Sequence, residues 1–256
     1  MVKKIIHAMI INLILMLLPH TTVADTYDTV TQLGSSARHI AIGNIDGFSY
    51  GSDSIFENPA ALYRVNNYSL NLFSSSTLWD TAHNSISFAS ELSEKSTLSI
   101  GIYELSMTDF EHTDDSINQL FEGGRGKWYA LSQGTFQLKQ EVLKVAYQYS
   151  PSETTHIGIT STTYTHKMLD YLGKGWDIDL GIITEVKQFE ISASIKNALG
   201  NNMNFNNNAS EKLPRQFQIS TGISFKGLYL LPQLSYQNNT LLYSTGLNIS
   251  QTFYQT

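Results

Sequence analysis

Only a few residues of this chain have the types and spacing that catalysis or metal binding would need. His156 and His166 lie in one alternating stretch, an even number of residues apart. At about 3.3 Å per residue of strand they share a face but cannot meet. Neither has a serine or aspartate partner visible in sequence, so the favoured reading is a satisfied or solvent-facing histidine. Asp177 and Asp179 also share a strand face, where a carboxylate pair or a cation site is conceivable. A polar wall explains them as well and is preferred. The acidic residues Asp109, Glu111, Asp114, Asp115 and Glu122 lack the alternate spacing of a calcium loop and read as solvated surface. Gly123-Gly124-Arg125-Gly126 lacks the Lys-Ser/Thr that completes a phosphate loop. With no cysteine anywhere, thiolate metal sites, a cysteine nucleophile and disulfide staples are excluded together. The expectation is a non-enzymatic protein with no catalytic residue, metal or cofactor; an outer-membrane hydrolase is a distant alternative.

The elements that would position such residues are strands. Charged residues make up 15% of the chain, below the ~25% of ordinary soluble domains, and the formal charge is −6. The chain is thus neither disordered in composition nor basic enough for a nucleic-acid partner. Met1–Ala24 has the plan of a cleaved secretory signal: Lys3 and Lys4, an apolar core from Ile5 to Leu18, Pro19, and small residues before Asp25. An exported protein is expected, with residues 1–24 as signal, 25–66 as an N-terminal segment and 67–256 as the main body.

From residue 68 onward apolar and polar residues alternate with a period of two. Phe217, Ile219, Thr221, Ile223 and Phe225 fall on one face, and Gln216, Gln218, Ser220, Gly222 and Ser224 on the other. The same pattern predicts strands at 68–76, 82–92, 96–105, 139–150, 155–166, 174–186, 188–198, 215–226, 228–237 and 240–251. Most match the roughly 9–11 residues that cross a bilayer at a tilt. The predicted fold is all-β: a transmembrane outer-membrane β-barrel of about ten antiparallel strands, with about eight to fourteen left open.

The expected links alternate short and long, as periplasmic turns and external loops do. The long ones are 106–138, 167–173 and the Asn-rich 199–214; residues 127–137 fit either a loop or a further strand. Lys144, Asp177, Asp179, Glu190 and Lys196 oppose the apolar stripe and are expected to face a polar lumen, because a charge at the lipid midplane costs about 2–4 kcal/mol. Trp79, Trp128, Trp176, Tyr68, Tyr103, Tyr147, Tyr149 and Tyr243 are candidates for interfacial girdles.

Ahead of the strands stands Gly34–Leu62, glycine-rich and then Glu57-Asn58-Pro59-Ala60-Ala61-Leu62. Asn58 can cap a helical start, and Pro59 suits the first helical position. Local chemistry alone predicts one capped helical turn leading into the first strand. The order Gly34-x-x-Ala37-Arg38, Gly43, then Asp53 to Ala60, with Asp179-Leu180-Gly181, Lys196 to Gly200 and Leu213-Pro214-Arg215 downstream, resembles FadL/PorV-like outer-membrane barrels, the PorV/PorQ branch above all. That resemblance implies a plug, or hatch, built around Gly34, Gly43, Asp53, Asn58, Pro59 and Ala60 and folded against the lumen. It implies a bacterial outer-membrane protein in contact with lipid that serves protein export, with exported proteins or secretion-system subunits as partners. A FadL-like channel for small hydrophobic compounds is the alternative it leaves open.

Overall fold

A computed structural model describes residues 34–77, 81–114, 131–225 and 228–249. The expected signal segment, Trp79, Trp128, the glycine run at 123–126, the turn expected at Gly227 and the C-terminal residues lie outside them. Twelve strands form one antiparallel sheet: β1 (Tyr68–Thr77), β2 (Thr81–Ser93), β3 (Ser96–Asp114), β4 (Leu131–Ser152), β5 (Thr155–Met168), β6 (Tyr171–Val186), β7 (Phe189–Lys196), β8 (Asn202–Phe205), β9 (Ser210–Lys212), β10 (Gln216–Phe225), β11 (Leu228–Gln237) and β12 (Thr240–Ile249). Ten run in chain order as a meander, while β8 and β9 make a small hairpin attached to β6.

Burial decides what kind of sheet this is. Leu70, Leu72, Ile86, Phe88, Ile100, Ile102, Val145, Ile157, Trp176, Ile182, Phe217 and Ile219 are all exposed on its outer face. On the inner face Ser87, Ser99, Gln148, Thr160, Thr162, Ser192, Ser220 and Gln233 are buried. A water-soluble sheet does the reverse, since burying apolar area supplies most of its stability. Exposed apolar patches on soluble monomers rarely pass a few hundred Å². Lipid is the solvent that suits a belt of this kind.

Two expected long links are strand instead. β3 and β4 continue pairing to Asp114↔Leu131, so 106–114 and 131–138 belong to one tall hairpin. Residues 131–137 therefore extend β4 rather than adding a strand, and the parity of everything after them is kept. The 167–173 link shrinks to a tight turn, because β5 and β6 pair out to Met168↔Tyr171, with Leu169 at φ 52°. In each case continued backbone pairing satisfies N–H and C=O groups that a loop would leave to water. Among the described residues only 197–215 remains a long link, and it carries the β8–β9 hairpin. Tyr103 also departs from the girdle expectation: its side chain points inward and is buried, whereas Tyr68, Tyr147, Tyr149 and Trp176 are exposed.

Among the described residues β1 and β12 do not pair, so the sheet stays open along that edge rather than closing as a full barrel would. The N-terminal segment reaches both edges. Ser52 N–H donates to Ser69 Oγ of β1 at 3.0 Å, and the Ile42 carbonyl rests against Gly246 of β12.

Candidate functional site: the N-terminal segment inside the sheet

Residues 34–65 form a short helix α1 (Ala37–Ala41) and two 3₁₀ turns, Ser52–Phe56 and Pro59–Arg64. Ser36 caps α1 by accepting from His39 N–H at 3.2 Å. Asn58 caps the second 3₁₀ turn: its Oδ1 accepts from Ala60 N–H at 2.9 Å, and Pro59 occupies the first position, where a missing N–H costs nothing. The expected capped turn is present, in 3₁₀ geometry. Gly34 and Gly43 both adopt positive φ, 85° and 81°, at the bends that fold the segment back on itself. Asp53 is buried within the first 3₁₀ turn.

Asn58 does more than cap. Its Nδ2 donates to Ser192 Oγ at 2.8 Å and to the Ala193 carbonyl at 3.1 Å, joining the turn to β7. Two glycines make the seat. A Cβ on Gly158 of β5 would stand 2.4 Å from the Pro59 carbonyl carbon, and one on Gly181 of β6 would stand 1.8 Å from Asn58 Oδ1. The Asp-Leu-Gly motif and the Asn-Pro-Ala motif, more than a hundred residues apart in sequence, thus meet at one contact.

The segment's grip on the wall has two chemistries. Toward β3–β5 it is apolar: Ile55, Phe56, Leu62 and Val65 pack with Tyr103, Leu105, Val142 and Ala146. Met203 of β8 and Leu213, which follows β9, close the same cluster. Toward β7, β10 and β11 it adds polar and charged contacts to a second apolar cluster, in which Ile42, Ile45 and Phe48 pack with Leu231 of β11. Lys196 pairs with Asp46 at 2.6 Å, and Arg64 pairs with Glu190. Arg64 also donates to the Gly47 and Ser49 carbonyls, both at 2.9 Å, and Glu190 accepts a further bond from Tyr229. Nothing in the spacing singles out Arg64; only the fold brings Glu190 to it.

Of the five charges expected in a lumen, Glu190 and Lys196 hold the segment. The other three brace the wall. Lys144 and Asp179 pair at 2.5 Å, each nearly fully buried. Asp179 further accepts from Thr162 Oγ1 at 3.0 Å and Asn197 N–H at 2.9 Å. Asp177 accepts from the Leu199 and Asn201 N–H groups at 2.9 and 2.8 Å, which organises the start of the 197–215 link. Both carboxylates are filled with protein donors, so they do not form a cation site. Among the described residues no group of three or more histidine, aspartate or glutamate side chains has metal-binding geometry.

The histidines are further apart in role than in sequence. His166 pairs with Gln140 at 3.1 Å. His156 Nδ1 meets Ser150 Oγ at 2.7 Å, a contact the β4–β5 register creates and the sequence does not show. His156 Nε2 is buried without a partner, so no third group orients the ring as a catalytic base requires. Tyr63 covers the ring, stacked at 3.5 Å between centroids, and donates to Glu185 at 3.0 Å. His156 is a seat for Tyr63.

A buried cluster sits at the centre of the segment. His39 Nε2 lies 3.2 Å from Asp46 Oδ1, and His39 Nδ1 lies 3.8 Å from Glu57 Oε1. Glu57 also accepts from the Gly47 and Ser49 N–H groups and the Ser49 hydroxyl. Burial works against a charge on His39, but the carboxylates of Glu57 and Asp46 outweigh it and raise the histidine above its ordinary value. Burial likewise opposes a charged Asp46, yet Lys196 and His39 hold it down at about 2. Burial raises Glu57. A group raised in the folded state adds stability below its unfolded pKa and loses it as pH rises through the folded one. The segment is therefore expected to be held more tightly at pH 6 than at pH 9. A cysteine at Ser52, otherwise buried, should be alkylated faster at pH 9 after correction for thiolate fraction, and His39→Gln should flatten that dependence.

With this geometry in place the chain can be compared with known proteins. Residues 133–254, just under half of the chain, match the family of type IX secretion system membrane proteins PorP/SprF. No curated protein matches. Several solved structures share the fold. The toluene transporter TodX of P. putida superposes with a TM-score of 0.52 at 11% identity, covering 88% of this chain and 77% of that one. A deletion mutant of TodX, described as a monoaromatic hydrocarbon channel, gives 0.55 at 11% identity, with 84% and 75% covered. A loop-deletion mutant of the Vibrio cholerae outer membrane protein OmpT gives 0.50 at 8% identity; 72% of this chain is covered, and it spans 59% of that chain's length. At such identities these neighbours speak for the barrel-like fold. Together with the PorP/SprF match they support an outer-membrane location.

Proposed function

We propose that this protein is a non-enzymatic outer-membrane barrel that serves protein secretion, with residues 34–65 as a plug. The observation that carries the reading is the inverted sheet, apolar outward and polar inward, whose interior is filled by that segment. The PorP/SprF match over 133–254 supports the secretion role, and the motifs around Gly34, Asn58 and Gly181 support the finer likeness to the PorV/PorQ branch. The tight turns at 94–95, 153–154 and 187–188 then face the periplasm. The β3–β4 hairpin and the 197–215 link rise on the opposite side, where secretion-system subunits or exported proteins would dock. Affinity capture from solubilised outer membranes should recover such proteins, and a barrel that returns alone under gentle detergents would count against the role. An uptake channel for small hydrophobic compounds is the second reading, favoured by the apolar cluster of Ile55, Phe56, Tyr103, Leu105, Val142 and Met203 inside the sheet.

Plug gating has a direct test, because the chain has no native cysteine. Ser52 Oγ of the segment and Ser87 Oγ of β2 are 2.9 Å apart, both buried. Ser52→Cys/Ser87→Cys should oxidise to a disulfide that locks the segment in place. Liposomes carrying the oxidised protein should conduct less than those carrying the reduced form; equal conductance would remove the gate.

A further inference from the structure

Six inward side chains of β10 and β11 form a strip without a single aliphatic or aromatic group. The register sets them in three rungs: Gln216 opposite Gln237, Gln218 opposite Ser235, and Ser220 opposite Gln233. All six are buried. The N-terminal segment occupies the lowest rung. Gln233 Oε1 accepts from Asp46 N–H at 2.8 Å, Gln233 Nε2 donates to the Asn44 carbonyl at 3.4 Å, and Ser220 Oγ donates to the Asp46 carbonyl at 2.8 Å.

Each of these three bonds goes to main chain. Amide side chains that read a backbone N–H and C=O do not depend on the sequence that carries them. The strip also outlasts its occupant. From Ser220 to Gln216 it climbs about 13 Å at the usual rise per residue. On that upper part Ser194 Oγ donates to Gln218, while Gln237 Nε2 is buried with no partner among the described residues. A buried donor left unmade is costly, and a ligand carbonyl would satisfy it. Hydrocarbon would satisfy nothing on these upper rungs; the apolar parts of the interior lie below them, at Leu231 and Tyr229, and across the sheet on β3–β5.

We propose that the β10–β11 strip is a binding site for polypeptide main chain, occupied in cis by the bend at Asn44–Asp46 and open to another chain when the plug withdraws. This rests on the plug reading and names the ligand class that the vacated wall would take.

The test uses the full chain carrying Ser52→Cys/Ser87→Cys and Arg64→Ala, the last to loosen the segment. The probes are a fluorescent peptide with the sequence of residues 42–50 and a scrambled version of it. Under reducing conditions both peptides should bind, and oxidation should abolish binding. Gln233→Leu should weaken binding by about tenfold or more, as expected for lost backbone hydrogen bonds. That direction is informative, because the same change frees the segment and would otherwise raise access. Gln237→Leu, which touches no part of the segment, should weaken binding too; the heat-modifiable gel shift reports that each variant is folded. Absence of peptide binding to the reduced protein, or binding unchanged in both leucine variants, overturns the strip. If conductance responds to the disulfide while peptide fails to bind, the strip alone falls; if conductance ignores the disulfide, the gate falls with it.

Discussion

Replacing Gly158 with alanine will unseat the N-terminal segment while leaving the sheet folded. The new Cβ would lie 2.4 Å from the Pro59 carbonyl carbon and 2.5 Å from Ala60 N, so backbone rather than a flexible side chain has to yield. Such overpacking costs about 1–3 kcal/mol. If the turn lifts to relieve it, the open population rises about five- to 150-fold. Trypsin cleavage after Arg38 and Arg64 reads that population directly. Gly181→Ala should act in the same direction, since its Cβ would stand 1.8 Å from Asn58 Oδ1 and would break the cap together with the bonds to Ser192 and Ala193. Ile159→Val, next door but facing outward, should leave cleavage unchanged. If both glycine variants resist trypsin as well as the parent does, the seat has been misidentified.

Lys144→Met should be the most destabilising single change in the wall. It leaves the Asp179 carboxylate buried without its direct ion-pair partner, a situation that costs about 3–5 kcal/mol. The temperature of the heat-modifiable gel shift should fall sharply. Lys144→Met/Asp179→Leu should recover much of the loss, because a buried ion pair adds little over an apolar pair of similar volume. Recovery stays incomplete by about 1–3 kcal/mol, because Asn197 N–H loses the carboxylate that accepts it. A double variant no more stable than Lys144→Met would mean that Asp179 acts chiefly through Asn197 and the link it begins.

Both predictions concern contacts between distant parts of the chain, and there the sequence was least readable. Alternation placed eight of the strands to within a few residues and cut β3 and β4 short by nine and eight, because a sheet with lipid on one side must repeat every two residues only where that lipid is. It read 106–114 and 167–173 as links and left 127–137 open between loop and strand. In the structure 107–114 pairs with 131–138, and 167–168 pairs with 171–172. Parity put Lys144, Asp177, Asp179, Glu190 and Lys196 opposite the apolar stripe, but it named no partner for any of them. Nothing in the spacing joins Lys196 to Asp46 or Glu190 to Arg64, since those pairs depend on where the segment lies across β7.

What the sequence by itself determined is therefore local: strand periodicity, a cap at Asn58, and the absence of thiol chemistry. Each is a property of a few neighbouring residues and needs no knowledge of the rest of the chain. The tertiary structure decided the open edge between β1 and β12, the seat made by Gly158 and Gly181, and the two charge pairs that hold the segment. It also decided that Ser150 would meet His156 and that Tyr63 would cover the ring. The physical reason is that a glycine or a carboxylate acquires a role only from what approaches it, and in this fold the approach comes from more than a hundred residues away.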